Sequence, residues 1–190
     1  MDSREAIIKA TIDLINEKGE SINDITVREI CRRAGVGLGL VNYHFGNKDR
    51  LIEACVERMV NGVVENFCSI QENTSGLTPF EKLEYLGNMT LSFLFDHYAL
   101  SRISILADMS SPKQDDNTHR TWRAYLPLVS ACRPDWDEAE VRRRTFCLIT
   151  VMQQAFLRHE EILRTQGVDL TCEQERRAYH LQILRDILEG

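Results

Sequence analysis

Residues 26–45 read TVREICRRAGVGLGLVNYHF. Val27, Ile30, Cys31 and Ala34 recur at helical spacing, so the first half predicts a short helix over about 26–33 with one apolar side. Thr26 followed by Glu29 has the capping-box pattern, in which each side chain satisfies a free N–H of the other residue. Gly35 permits a tight turn and Val36 plugs it. Val41 and Phe45, four apart, anchor a second helix over about 37–44. With Val41 inward, Gly39 and Tyr43 point outward and Leu40 and Asn42 lie on the flanks. Two short helices around such a turn form a helix-turn-helix, whose second helix enters a DNA major groove.

The charge pattern suits that use. Residues 28–50 hold Arg28, Arg32, Arg33, Lys48 and Arg50 against Glu29 and Asp49, a net +3 inside a chain of net charge −6. A protein that coats nucleic acid non-specifically is normally basic, so that class is not expected. A basic island on an acidic chain fits a bounded footprint on phosphates.

Outside this stretch, Gly (10) and Pro (4) are sparse among 190 residues, and no window alternates with period two, so the chain is expected to be all-α. Capping-box pairs recur at Asp2/Glu5, Thr78/Glu81, Ser111/Gln114, Asp135/Glu138 and Thr171/Gln174, and Asn47 is a further cap. Helices follow at about 3–18, 47–72, 79–96, 99–110, 112–132, 135–166 and 172–188, about nine with the central two, and Pro127 should bend or split the one that contains it. Helices are short before residue 46 and long after it. We therefore expect a DNA-binding domain at 1–46 and a larger helical domain at 47–190. No stretch reaches the ~20 apolar residues of a membrane span, and Asp2, Arg4, Glu5 and Lys9 leave no apolar signal core, so a cytoplasmic protein is expected.

The N-terminal amphipathic helix, TVREICRRAGV, and then NYHFGNKDRLIEA together resemble the DNA-binding domain of TetR-type transcriptional repressors, over about residues 3–60. Tyr43-His44-Phe45, with Asn47-Lys48-Asp49 and Leu51, is the most specific part. The resemblance implies that Thr26 is a phosphate-binding cap and that Arg28 reaches a phosphate or a base edge. It makes Tyr43 and His44 the backbone-contacting pair and Lys48 a phosphate-contacting lysine. Gly37, Leu38, Gly39, Leu40 and Asn42 fall on the recognition helix. Here the chain departs from the family. Many members carry a hydroxyl cap at Gly37, a polar or basic residue at Leu38, Thr at Leu40 and Tyr at Asn42. The leucines can touch thymine methyls but form no hydrogen bond, and Asn42 suits an adenine or a phosphate.

In the second domain, Val141, Thr145, Leu148, Met152, Ala155 and Ile162 form one stripe of helix 135–166, and Phe146, Ile149, Phe156 and Leu163 form another. Leu181, Leu184 and Leu188 line the last helix. Two stripes exceed the need of one core. We therefore expect a homodimer with Leu148, Met152, Phe156, Leu181, Leu184 and Leu188 at its interface, as in the family's four-helix bundle; a monomer with both helices buried is the alternative. Tyr85, Met89, Phe93, Arg102, Met109, Trp122 and Tyr125 come from helices that wall a small-molecule effector pocket in the family, although each fits a plain core equally well.

The expected function is a repressor released from palindromic operator DNA by a small-molecule effector. The alternative is a redox- or metal-responsive regulator. Its cysteines, Cys31, Cys55, Cys68, Cys132, Cys147 and Cys172, show no CxxC and no zinc spacing. Cys55 and Cys68 lie 13 residues apart on one expected helix, about 20 Å along its axis, too far for a disulfide. An enzyme is not expected. His159-Glu160-Glu161 lacks the second histidine of a zinc-protease helix, and no GxSxG, P-loop or dinucleotide fingerprint occurs. No cofactor, metal or catalytic residue is assigned.

Overall fold

The computed structural model describes residues 2–18, 24–58 and 76–190, and among these every regular element is helical. The helices are α1 (Ser3–Lys18), α2 (Val27–Ala34), α3 (Gly39–Phe45), α4 (described over 48–58), α5 (Pro79–Asp96), α6 (Tyr98–Ser110), α7 (Asn117–Cys132), α8 (Glu138–Leu157), α9 (His159–Gln166) and α10 (Glu173–Leu188). The part of helix 47–72 expected beyond residue 58 lies outside the described residues.

The chain forms two compact units, Met1–Asn66 with His97–Ser104, and Phe67–Asp96 with Ile105–Gly190. In the first, Ile7, Leu14 and Ile15 of α1 meet Ile30 and Cys31 of α2 and Val41 and Phe45 of α3. Leu51, Cys55 and Val56 of α4 fill the same core, so this unit runs past residue 46.

In the second unit, α5 starts as its sequence directs. The Thr78 N–H donates to the Glu81 carboxylate at 2.7 Å and the Glu81 N–H donates back to Thr78 Oγ1 at 3.3 Å. Pro79 follows, where no N–H is required. Gly87 permits the close approach of α10. A Cβ added there would lie 2.1 Å from the buried ring of His180, whose Nδ1 is 3.0 Å from Asn88 Oδ1.

Three helix starts differ from expectation. Helix α7 begins at Asn117, not near 112, because Asp116 accepts from the His119 N–H at 2.8 Å and from the Lys113 N–H at 2.9 Å. It then runs through Pro127 without splitting. Asp137, not Asp135, caps α8, accepting the Glu140 N–H at 2.8 Å, while Asp135 pairs with Arg133 at 2.7 Å. The Thr171 hydroxyl donates to Asp169 at 2.6 Å and caps nothing; α10 starts at Glu173 after Cys172. The expected 135–166 helix is also two helices. They break at Arg158 (φ −115°, ψ 23°), where the His159 ring lies 3.0 Å from the Phe156 carbonyl.

Five of the six expected interface residues, Leu148, Met152, Phe156, Leu184 and Leu188, are buried within the single chain. Leu148, Met152, Leu184 and Leu188 are inside the chain's own core with Leu83 and Leu86, and Phe156 stacks edge-on to Phe95 at 5.2 Å. Leu181 is half-buried. Helix α8 packs against α5, α7 and α10 at once, so its first stripe is consumed within one chain, while Phe146 and Leu163 of the second stay exposed. The Arg176 guanidinium closes the loop before α10. It donates to the carbonyls of Leu170 (2.8 Å) and Thr171 (3.1 Å) and sits 4.9 Å over the Phe95 ring.

Candidate nucleic-acid interface

The helix-turn-helix is built from backbone groups that satisfy one another. Thr26 Oγ1 accepts the Glu29 N–H at 3.2 Å, which leaves its hydroxyl hydrogen to donate outward. At the far end Gly35 takes φ +69°, the left-handed region that favours glycine. There Gly35 N–H returns to the Arg32 carbonyl and Val36 N–H to Cys31 at 3.0 Å. The Gly37 carbonyl, which opens the next helix, accepts from Leu40 N–H at 3.0 Å and from the Cys31 thiol at 3.8 Å.

What α3 does not bury, it presents outward. Only Val41 and Phe45 are buried. Gly39 and Asn42 are exposed, Tyr43 is 81% exposed and Leu38 is 52% exposed. Leu40 is packed against the first unit's core and is thus only half available. His44 is half-buried, with Nε2 2.8 Å from Ser3 Oγ, so its ring ties α3 to the start of α1. No local signal exposes a pair 41 residues apart. Lys48 is half-buried in the first turn of α4, whose Asn47 side chain accepts the Arg50 N–H at 2.9 Å.

The charges divide into scaffold and surface. Arg33 forks onto Glu17 of α1 at 2.8 and 2.5 Å, and that hydrogen bond holds the Glu17 carboxyl below the usual range. Lys18 binds Glu29 at 2.8 Å, lowering that carboxyl in the same way. Arg28, Arg32 and Arg50 are exposed. The basic island thus spends Arg33 on holding α1 to α2, while the acid Glu29 is neutralised from within.

Three of the thiols, those of Cys31, Cys55 and Cys132, are poorly set for metal or redox chemistry. Burial pushes Cys55 up to about 12 and Cys132 to about 11, and raises Cys31. At neutral pH such groups stay protonated, whereas the thiolate is the ligand and the nucleophile. Among the described residues no three His, Cys, Asp or Glu are gathered as metal ligands, and Cys68 lies outside them.

The expected effector residues are not all brought together. A groove of about 720 Å³ in the second unit is lined by Met109 and Trp122, with Asp108, Thr118, Phe146 and Gln153 among the other lining residues. The Trp122 Nε1–H donates to the Arg142 carbonyl at 3.2 Å. Tyr125 is instead fully buried, its hydroxyl donating to Thr90 at 2.7 Å, and burial raises its pKa. Tyr85, Met89 and Phe93 line no part of this groove, and Arg102 belongs to the other unit. Phe146, 59% exposed, was expected as part of an apolar stripe and not as a groove wall.

Known proteins match at both levels. Residues 7–55 match the family described as bacterial regulatory proteins, tetR family. The HTH-type transcriptional regulator BetI of Klebsiella pneumoniae (strain 342) is 45% identical over 51 residues, 27% of this chain and 25% of that protein. BetI 2 of Chromohalobacter salexigens is 40% identical over 57 residues, 30% and 27% of the two chains. The chain thus spans about a quarter of the curated relatives it matches. Among solved structures, a transcriptional regulator from Rhodococcus sp. Rha1 superposes with a TM-score of 0.71 at 19% identity, covering 98% of this chain and 96% of that one. A tetR-family regulator from Streptomyces coelicolor gives 0.65 at 18%, covering 98% and 78%. These likenesses extend the shared fold over the second unit. No described helix is long and apolar enough to cross a membrane. Over residues 7–55 this chain is similar to the tetR family of bacterial regulatory proteins.

Proposed function

We propose that the chain is a sequence-specific DNA-binding transcriptional regulator, a repressor that leaves a palindromic operator when a small molecule binds its second unit. One observation carries this reading: α3 leaves Leu38, Asn42 and Tyr43 exposed above a helix-turn-helix whose own core is complete. Thr26, Arg28 and Lys48 supply the phosphate contacts, with the first turn of α2 adding its partial positive charge. His44 positions α3 through Ser3. An operator of two half-sites requires two recognition helices about 34–36 Å apart, and hence a second copy of the chain. Since Leu148 and Leu184 are internal, that copy pairs through outer faces of α8 and α10, where Val151 is 40% exposed and Leu181 is half-buried. The groove at Met109, Trp122 and Phe146 is large enough for an effector, within the range of ~300–1,000 Å³ of ligand pockets.

The test is operator selection from a random duplex pool with the whole chain, followed by salt titrations of Arg28→Ala and Tyr43→Ala. Each variant is expected to weaken binding to every duplex, and Arg28→Ala to reduce the salt slope by about one. Unchanged affinity in both variants would remove the assigned docking face.

A further inference from the structure

Leu38 is the one large aliphatic side chain that α3 and its approach leave exposed, at 52%, since Leu40 packs inward and Val41 is buried. Nothing in the first unit's core uses it. Its backbone is already helical (φ −53°, ψ −34°), so the side chain projects from the start of the reading helix and not from a loose loop. The neighbours on both sides are glycines, and a Cβ at Gly37 or Gly39 would meet nothing within 4 Å. Leu38 is therefore an apolar knob between two bare stretches of backbone, free of side chains that would hold a duplex away. A leucine here has nothing to offer a phosphate or a base-edge hydrogen bond. On the floor of the major groove the one apolar feature is the C5-methyl group of thymine.

We infer that Leu38 reads a thymine methyl in each operator half-site, making it a specificity-determining residue of the interface. Burying that methyl against Leu38 removes apolar surface of both from water. Asn42, one helical turn on and exposed, lies beside the same stretch of groove and supplies the hydrogen bond that Leu38 lacks. The inference rests on the operator-binding reading above.

The experiment uses the selected operator and the whole chain. Each thymine is replaced in turn by deoxyuridine, which removes only the methyl group, and affinity is measured at fixed salt. At one symmetry-related pair of positions the replacement should weaken binding roughly fourfold per half-site, the factor carried by one buried methyl-sized group. Leu38→Ala, which disturbs no core contact, should bind the thymine and deoxyuridine operators equally. An operator whose deoxyuridine variants all bind like the parent overturns the inference, and so does discrimination that survives in Leu38→Ala. Either result leaves operator binding itself intact. Failure to select any sequence overturns operator binding and this inference with it.

Discussion

Helices α3 and α8 use their apolar residues in opposite ways. Helix α3 has seven residues and buries two of them; α8 has twenty and buries seven. The short helix is held by Val41, Phe45 and the His44–Ser3 contact, and an exposed leucine and tyrosine at its surface are surplus to folding. The long helix is wedged among α5, α7 and α10, and most of its apolar surplus is absorbed by the chain itself. Exposed apolar area therefore has different meanings in the two places. On α3 it marks the proposed recognition face, whereas on α8 an apolar residue is by default core unless it is seen outside, as Phe146 and Val151 are.

The sharpest way to break this contrast is Leu184→Ala. If Leu184 is core, truncation should cost about 3 kcal/mol of unfolding free energy, independent of protein concentration. Denaturant titration at two concentrations checks this. Unaltered stability with weakened self-association would move Leu184 back to an interface.

A slightly smaller effect is expected from acid. His180 is fully buried, its Nε2 has no partner, and desolvation lowers its pKa to about 4. The folded state thus holds the neutral ring while the unfolded chain takes up a proton below about 6.5. Its contribution is complete above about 6.5 and is lost as pH falls towards 4, at most about 3 kcal/mol. His180→Gln should flatten that part of the stability–pH curve; an unchanged slope would assign it to other groups.

The least effect tests the division of charges in the first unit. Arg33→Ala removes a half-exposed pair with Glu17, which water screens, and should lower stability only slightly. Its operator affinity should fall less than that of Arg28→Ala. The reverse order would place Arg33 on the DNA and not on the scaffold.

Local rules account for what the sequence alone determined. Thr26, Gly35, Val41 and Phe45 act within one or two helical turns, so the helix-turn-helix and its outward residues were legible from spacing. The Thr78/Glu81 cap was legible for the same reason. The tertiary structure decided whatever depends on partners distant in the chain. Amphipathic periodicity states that Leu148 and Leu184 are buried but not against what, and only the packing of α5 and α7 on α8 shows that the covering surface is the same chain. The same holds for Tyr125, whose hydroxyl finds Thr90, and for Arg33, whose partner Glu17 lies on another helix. A side chain's type and period fix that it must be covered or paired; the identity of the cover is set by long-range packing, which no local pattern encodes.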